Sequence, residues 1–247
     1  MNPPPIPVNP APRFGSSAPL VFEPMPPGTN PMFVLETLLK RPGQIIHDLF
    51  HERRTALLVW LLLLGVMGTA LYGLLVGAQS GGAQLLIAPV KLGLGVLLAM
   101  LICLPSLYIF TSLDGNDAQI RSVAGALFAA VSLCAVLLIG FAPVAWIFSQ
   151  STDSIVFMGV LHLVFWAIGI RFGLRLIKAM GRFLGASAQG HFKVWSVIFI
   201  LVCLQMTATL RPIIATSETF FPSEKKFFLA HWWDSLSAPS APKKTEY

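Results

Sequence analysis

The chain has 247 residues and a formal net charge of +6, yet only 11% of it is charged and 55% is hydrophobic. Soluble domains carry about 25% charged residues. With a mean hydropathy of +0.73, the composition excludes an ordinary water-soluble domain and points to a chain dissolved largely in lipid. The cations form no nucleic-acid stripe. They sit beside apolar segments, where they set topology and meet anionic headgroups, so a lipid bilayer is the expected partner and nucleic acid is not.

In chain order, residues 1–31 come first and hold eleven prolines. Proline removes backbone donors and favours polyproline II, so this segment reads as an extended arm without a core of its own. It has no continuous apolar stretch of the kind an export signal needs, so the first spanning helix is expected to serve as the insertion signal. Residues 32–54 read as two short amphipathic helices broken at Pro42-Gly43. In the second, Ile45, Ile46, Leu49 and Phe50 fall on one face, and His47, Asp48, His51 and Glu52 on the other. That pattern fits a helix lying in the membrane interface on the cytoplasmic side. His47 and His51 stand at i, i+4, a weak metal pair without a third ligand.

A bilayer needs about 20 apolar residues per helix. Five stretches qualify: 55–77, 92–112, 124–149, 155–178 and 194–210; the second has room to begin earlier, with Lys91 snorkelling at its edge, and the fifth to run on to Ala215. The expected fold is all-α, a polytopic membrane helix bundle of about five transmembrane helices over residues 55–217, with interfacial amphipathic helices at both ends. Lys and Arg near the span ends divide ten against six in favour of the amino-terminal side. The positive-inside rule then places the amino terminus in the cytoplasm and the carboxyl terminus outside. Residues 218–247 form the tail. Within it, PSEKKFFLAHWWDSL reads as a short interfacial helix with Phe228, Trp232 and Trp233 on one broad face, suited to the headgroup level or to a partner.

Ionisable groups inside spans are functional candidates. His162 is the histidine within a span, with Trp166 one turn on, and it is the candidate cofactor-binding residue for a pigment. Arg171, Arg175 and Lys178 follow at i, i+4, i+7, a stripe suited to lipid headgroups or an anionic partner. Gln205, Thr207 and Thr209 bring polar groups into the fifth span. Gly73/Gly77, Gly169/Gly173 and Gly181/Gly185 each match the small-xxx-small pattern of close helix packing. Cys103, Cys134 and Cys203 each lie in an apolar run and read as small packing residues. The sequence carries no nucleophile elbow, phosphate loop, HExxH or zinc spacing, so no catalytic residue, metal or cofactor is assigned.

The stretch LLKRPGQIIHDLF, five closely spaced spans, the polar turn SLDGND and the late proline of FAPVAW resemble bacterial members of the Yip1-like family. The run LRPII, followed by a polar gap and FF before a terminal helix, is similar to an uncharacterised group of five-span bacterial membrane proteins with an LRPF-type motif. The resemblance covers residues 33–236. It implies a five-helix, non-enzymatic protein of a bacterial inner membrane. The tyrosine-glycine stretches of the eukaryotic family members are missing, so their small-GTPase partners are not carried over. The expectation is therefore a membrane scaffold or accessory subunit of a larger complex, contacting membrane-protein partners through its arm and its aromatic tail helix. A small-solute permease or channel using His162, Arg171 and Gln205 is the alternative, and a pigment-binding subunit using His162 the next.

Overall fold

Seven helices, and no strand among the described residues, make up the computed structural model, which describes residues 22–26, 30–52, 54–80, 82, 84–113, 119–152, 155–184 and 189–210. The helices are α1 (Pro31–Lys40), α2 (Pro42–His51), α3 (Thr55–Ser80), α4 (Gln84–Leu113), α5 (Ile120–Ser151), α6 (Ile155–Phe183) and α7 (Gln189–Leu210). Four of them, α3 to α6, are long and apolar enough to cross a membrane. They form because long apolar runs without water must satisfy every backbone group internally, and a helix does so within one segment.

Proline marks both short helices. Pro31 and Pro42 each stand in the first turn, where the missing N–H is an orphan in any case. The break between α1 and α2 falls at Arg41, whose backbone leaves the helical region. The exposed Lys40–Glu36 pair, 2.8 Å apart, closes the last turn of α1 and lowers the Glu36 carboxyl below its ordinary value. Between α3 and α4 the chain turns through Gly82, whose φ of +58° is left-handed and suits glycine.

The helix α4 begins before residue 92, and its apolar stretch runs from Leu85 to Leu113 through Lys91. It starts at Gln84 rather than residue 92 and carries Pro89 and Pro105 inside it. Lys91 therefore does not sit at an edge. It lies in the second turn of the helix with 2% of its surface exposed.

The central element is α5, the most enclosed of the four spans. It packs on α3 and α6, and α4 packs on α3 and α7. Small residues allow the close approaches. A Cβ on Gly173 would stand 2.8 Å from the Ala130 carbonyl oxygen, and one on Gly169 would stand 2.6 Å from Cys134 Sγ. On the other side, Gly73 meets the Pro89 backbone at a similar 2.8 Å. Polar ties cross the interfaces as well. Ser132 Oγ donates to the Leu61 carbonyl, joining α5 to α3. Trp195, fully buried on α7, donates to the Cys103 carbonyl of α4 at 3.4 Å.

The short helices belong to the bundle. Val34, Leu38, Ile45, Ile46 and Leu49 join the same core as the spans. Ser122 Oγ donates to the Leu49 carbonyl at 2.7 Å, and Gly125 leaves room for the Leu49 side chain. In α2 the apolar face packs against protein, and Asp48, expected on the polar face, is also fully buried.

Candidate functional site

Three places in the fold carry polar chemistry. The first is within the spans. Tyr72 of α3 and His162 of α6 meet edge to face, with Tyr72 Oη 2.5 Å from His162 Nδ1. Both are buried, at 1% and 2% exposure. The opposite ring atom, His162 Nε2, and the indole nitrogen of Trp166, one turn on, are buried without a hydrogen-bond partner. His162 is thus a histidine bonded across helices, in an arrangement that ties α6 to α3. The same bond would orient the ring if Nε2 held a ligand, as outer partners do for ligating histidines. Nearby, an apolar cavity of about 40 Å³ lies among α3 to α7, lined by Thr69, Val131, Cys134, Trp166, Gly173 and Phe199 among others.

The second place is the outer surface of α6. Arg171, Arg175, Lys178 and Arg182 are exposed along one side of the helix, and the Arg175 guanidinium lies 5.8 Å from the Phe172 ring centre. His162 and Arg171 are nine residues apart, which at 3.6 residues per turn places them on opposite sides of the helix. The structure does not bring these two together, so a shared solute path through them has no geometric basis. Gln205 lies in α7, but its side chain is outside the described residues, as are Phe228, Trp232 and Trp233.

Sequence reasoning missed the third place, at the end of the bundle that holds α1 and α2. Asp48 is fully buried there. It accepts from the Met25 backbone N–H at 2.9 Å, and its other oxygen lies 3.2 Å from Arg54 Nη1. That second pair is within ion-pair range but not in hydrogen-bond alignment, since Asp48 Oδ2 has no hydrogen-bond partner. Arg54 also donates to the Pro26 and Met25 carbonyls at 3.3 and 3.4 Å. Met25 is 2% exposed. Phe22 packs on Phe183 of α6 with the rings tilted and their centres 4.7 Å apart. Phe183 in turn touches Phe50 and His51 and, at 6.2 Å, His47. The two histidines stack on each other at 4.4 Å, and His47 Nδ1 lies 3.6 Å from the Asp48 carboxylate, but no group of three residues able to hold a metal ion occurs among the described residues. Residues 22–26 of the arm are therefore seated on the chain's own helices. The available signal was an acid and an arginine six residues apart flanking an apolar helix end, a pattern too common to single out.

Comparison of the chain with protein-family models, with curated proteins and with solved structures gave no match.

Proposed function

We propose that this protein is a non-enzymatic integral membrane scaffold or accessory subunit of a larger assembly in a bacterial inner membrane. In this reading α7 is a fifth span. Its 22 residues cover ~33 Å at 1.5 Å per residue, enough to cross a hydrocarbon core of about 30 Å. The amino terminus is then cytoplasmic, because Arg54, Arg121, Arg182 and Lys193 all stand near helix ends on one side of the bundle. The Yip1-like and LRPF-type resemblance agrees with a five-helix protein of this kind.

One observation carries the reading. Along α6 the exposed residues Phe157, Val160, Val164, Ala167, Arg171, Arg175, Lys178 and Arg182 recur at spacings of three and four. This is the seam spacing by which one helix packs along another. It lies on the least enclosed of the four spans. The upper half is apolar with a small residue at Ala167, and the lower half is basic. Such a seam fits a partner helix followed by an acidic segment or anionic headgroups.

Purification from the native membrane in mild detergent, with a tag after Tyr247, tests this. Stoichiometric membrane proteins identified by mass spectrometry are expected, and Ala167→Trp is expected to release them and to shift the protein to the later elution volume of a lone, monodisperse chain. A lone protein, or partners indifferent to Ala167→Trp, would overturn the assignment to α6.

A further inference from the structure

The seat of residues 22–26 has the features of a peptide-binding groove. Its recognition of the backbone is directional: Asp48 takes the Met25 N–H, and Arg54 takes the Met25 and Pro26 carbonyls. Pro24 and Pro26 each fix their own φ and push the residue before them out of the helical region, which favours an extended strand. Two side-chain positions are also read. Met25 is buried. Phe22 lies on Phe183, which packs edge-on to His51. The acidic residue between them, Glu23, is exposed and contributes no visible selectivity. Aromatic-lined grooves that grip extended proline-flanked segments are a general mode of peptide recognition.

The energetics point the same way. A carboxylate with no surface exposure is costly unless paired. Here its partners are Arg54, the His47 ring at 3.6 Å and one N–H of a segment that is not part of any helix. An arm that merely tethers the chain has no need of a buried ion pair to hold its backbone.

We propose that this groove, formed by the end of α2, Arg54 and the end of α6, is a receptor for an extended peptide of the pattern aromatic-x-Pro-apolar-Pro on a partner protein, and that residues 22–26 occupy it as an internal pseudo-ligand. The arm then masks the site in the free chain, and a partner segment of the same chemistry gains entry by displacing it.

The probe is a fluorescein-labelled peptide with the sequence of residues 19–29, PLVFEPMPPGT, and fluorescence anisotropy with the full-length protein in detergent micelles is the readout. The wild type, whose groove is filled, is expected to bind at least tenfold more weakly than the full-length Phe22→Ser/Met25→Lys variant, and adding Asp48→Ala to that variant should remove binding. Equal binding to wild type and variant, or none to either, overturns the proposal. A second measurement reads the seat itself. In a Met25→Cys chain whose native cysteines are replaced by alanine, unlabelled peptide should raise the rate of maleimide modification at position 25 several-fold, because that position is buried in the seat, and an unchanged rate overturns displacement. If the vacated variant instead forms a dimer with wild-type chains and loses peptide binding in the mixture, the occupant is a second copy and the assignment to a partner protein is overturned.

Discussion

Tyr72 and His162, ninety residues apart in the chain, meet at 2.5 Å inside the bundle and give α3 and α6 a direct polar tie. Few tertiary contacts between these helices accompany it, because α5 packs on both. Tyr72→Phe removes the hydroxyl and leaves the imidazole without its partner. A loss of about 1–2 kcal/mol is expected, in line with interhelical hydrogen bonds in membranes and unsatisfied buried groups. Thermal unfolding in detergent of Tyr72→Phe, His162→Phe and the double variant checks this, and a double variant costing the sum of the singles would falsify the coupling.

Close helix packing depends on Gly173. Its Cβ position is 2.8 Å from a backbone oxygen, which cannot swing aside as a side chain can. Gly173→Ala should destabilise by about 1–3 kcal/mol through overpacking. Gly140 is the control, since a Cβ there meets nothing within 4 Å. Gly140→Ala should be neutral or slightly stabilising by helix propensity. The two melting midpoints, measured side by side, decide the matter.

Asp48→Ala should free the arm. It removes the acceptor of the Met25 N–H and leaves Arg54 without its carboxylate. Breaking a buried pair in this way costs about 3–5 kcal/mol where the remaining charge stays buried. Arg54 is partly exposed, so the lower end applies. In a Met25→Cys chain whose native cysteines are replaced by alanine, maleimide modification at position 25 should speed up at least tenfold when Asp48→Ala is added, and an unchanged rate would show that the clamp does not hold the segment.

Exchanging Arg171, Arg175, Lys178 and Arg182 for glutamine should weaken retention of anionic phospholipid. Juxtamembrane cations contribute about 1 kcal/mol each near an anionic surface, roughly a fivefold change in affinity per charge. Lipid quantified by mass spectrometry after purification from membranes of fixed composition is the measure. Equal anionic lipid in variant and wild type would remove the headgroup role.

The five-span reading makes a topological prediction. A cysteine placed after Tyr247 should react with a membrane-impermeant maleimide in intact cells stripped of their outer membrane, while one at Met32 should not, with the native cysteines replaced by alanine. Labelling of Met32→Cys with a silent carboxyl terminus would invert the assignment.

Much of the fold was legible in the residues. Apolar runs long enough for a bilayer leave the backbone no alternative to helix, so the expected spans at 55–77, 124–149 and 155–178 each lie inside an observed helix. The charge clusters at the helix ends were equally readable, since long basic side chains are stable where they reach water. Pro42-Gly43 separated α1 from α2, although the break came one residue earlier, at Arg41, because proline disfavours the helical region in the residue before it.

The places where polar groups go could not be read in one dimension. Asp48 belongs to the polar face of α2 by helical spacing, and Lys91 reads as the edge of a span, yet both are buried. Periodicity states which residues share a face. It does not state what covers that face, and here neighbouring helices and an arm segment do. His162 found its partner on a helix ninety residues away, and the arm found its seat between α2 and the end of α6. Local chemistry is enough to make each helix, because the bilayer enforces internal hydrogen bonding segment by segment. Which buried polar groups are paired, and with what, follows only from packing the helices together, since the energy of a buried charge or hydroxyl lies in a partner distant in the chain.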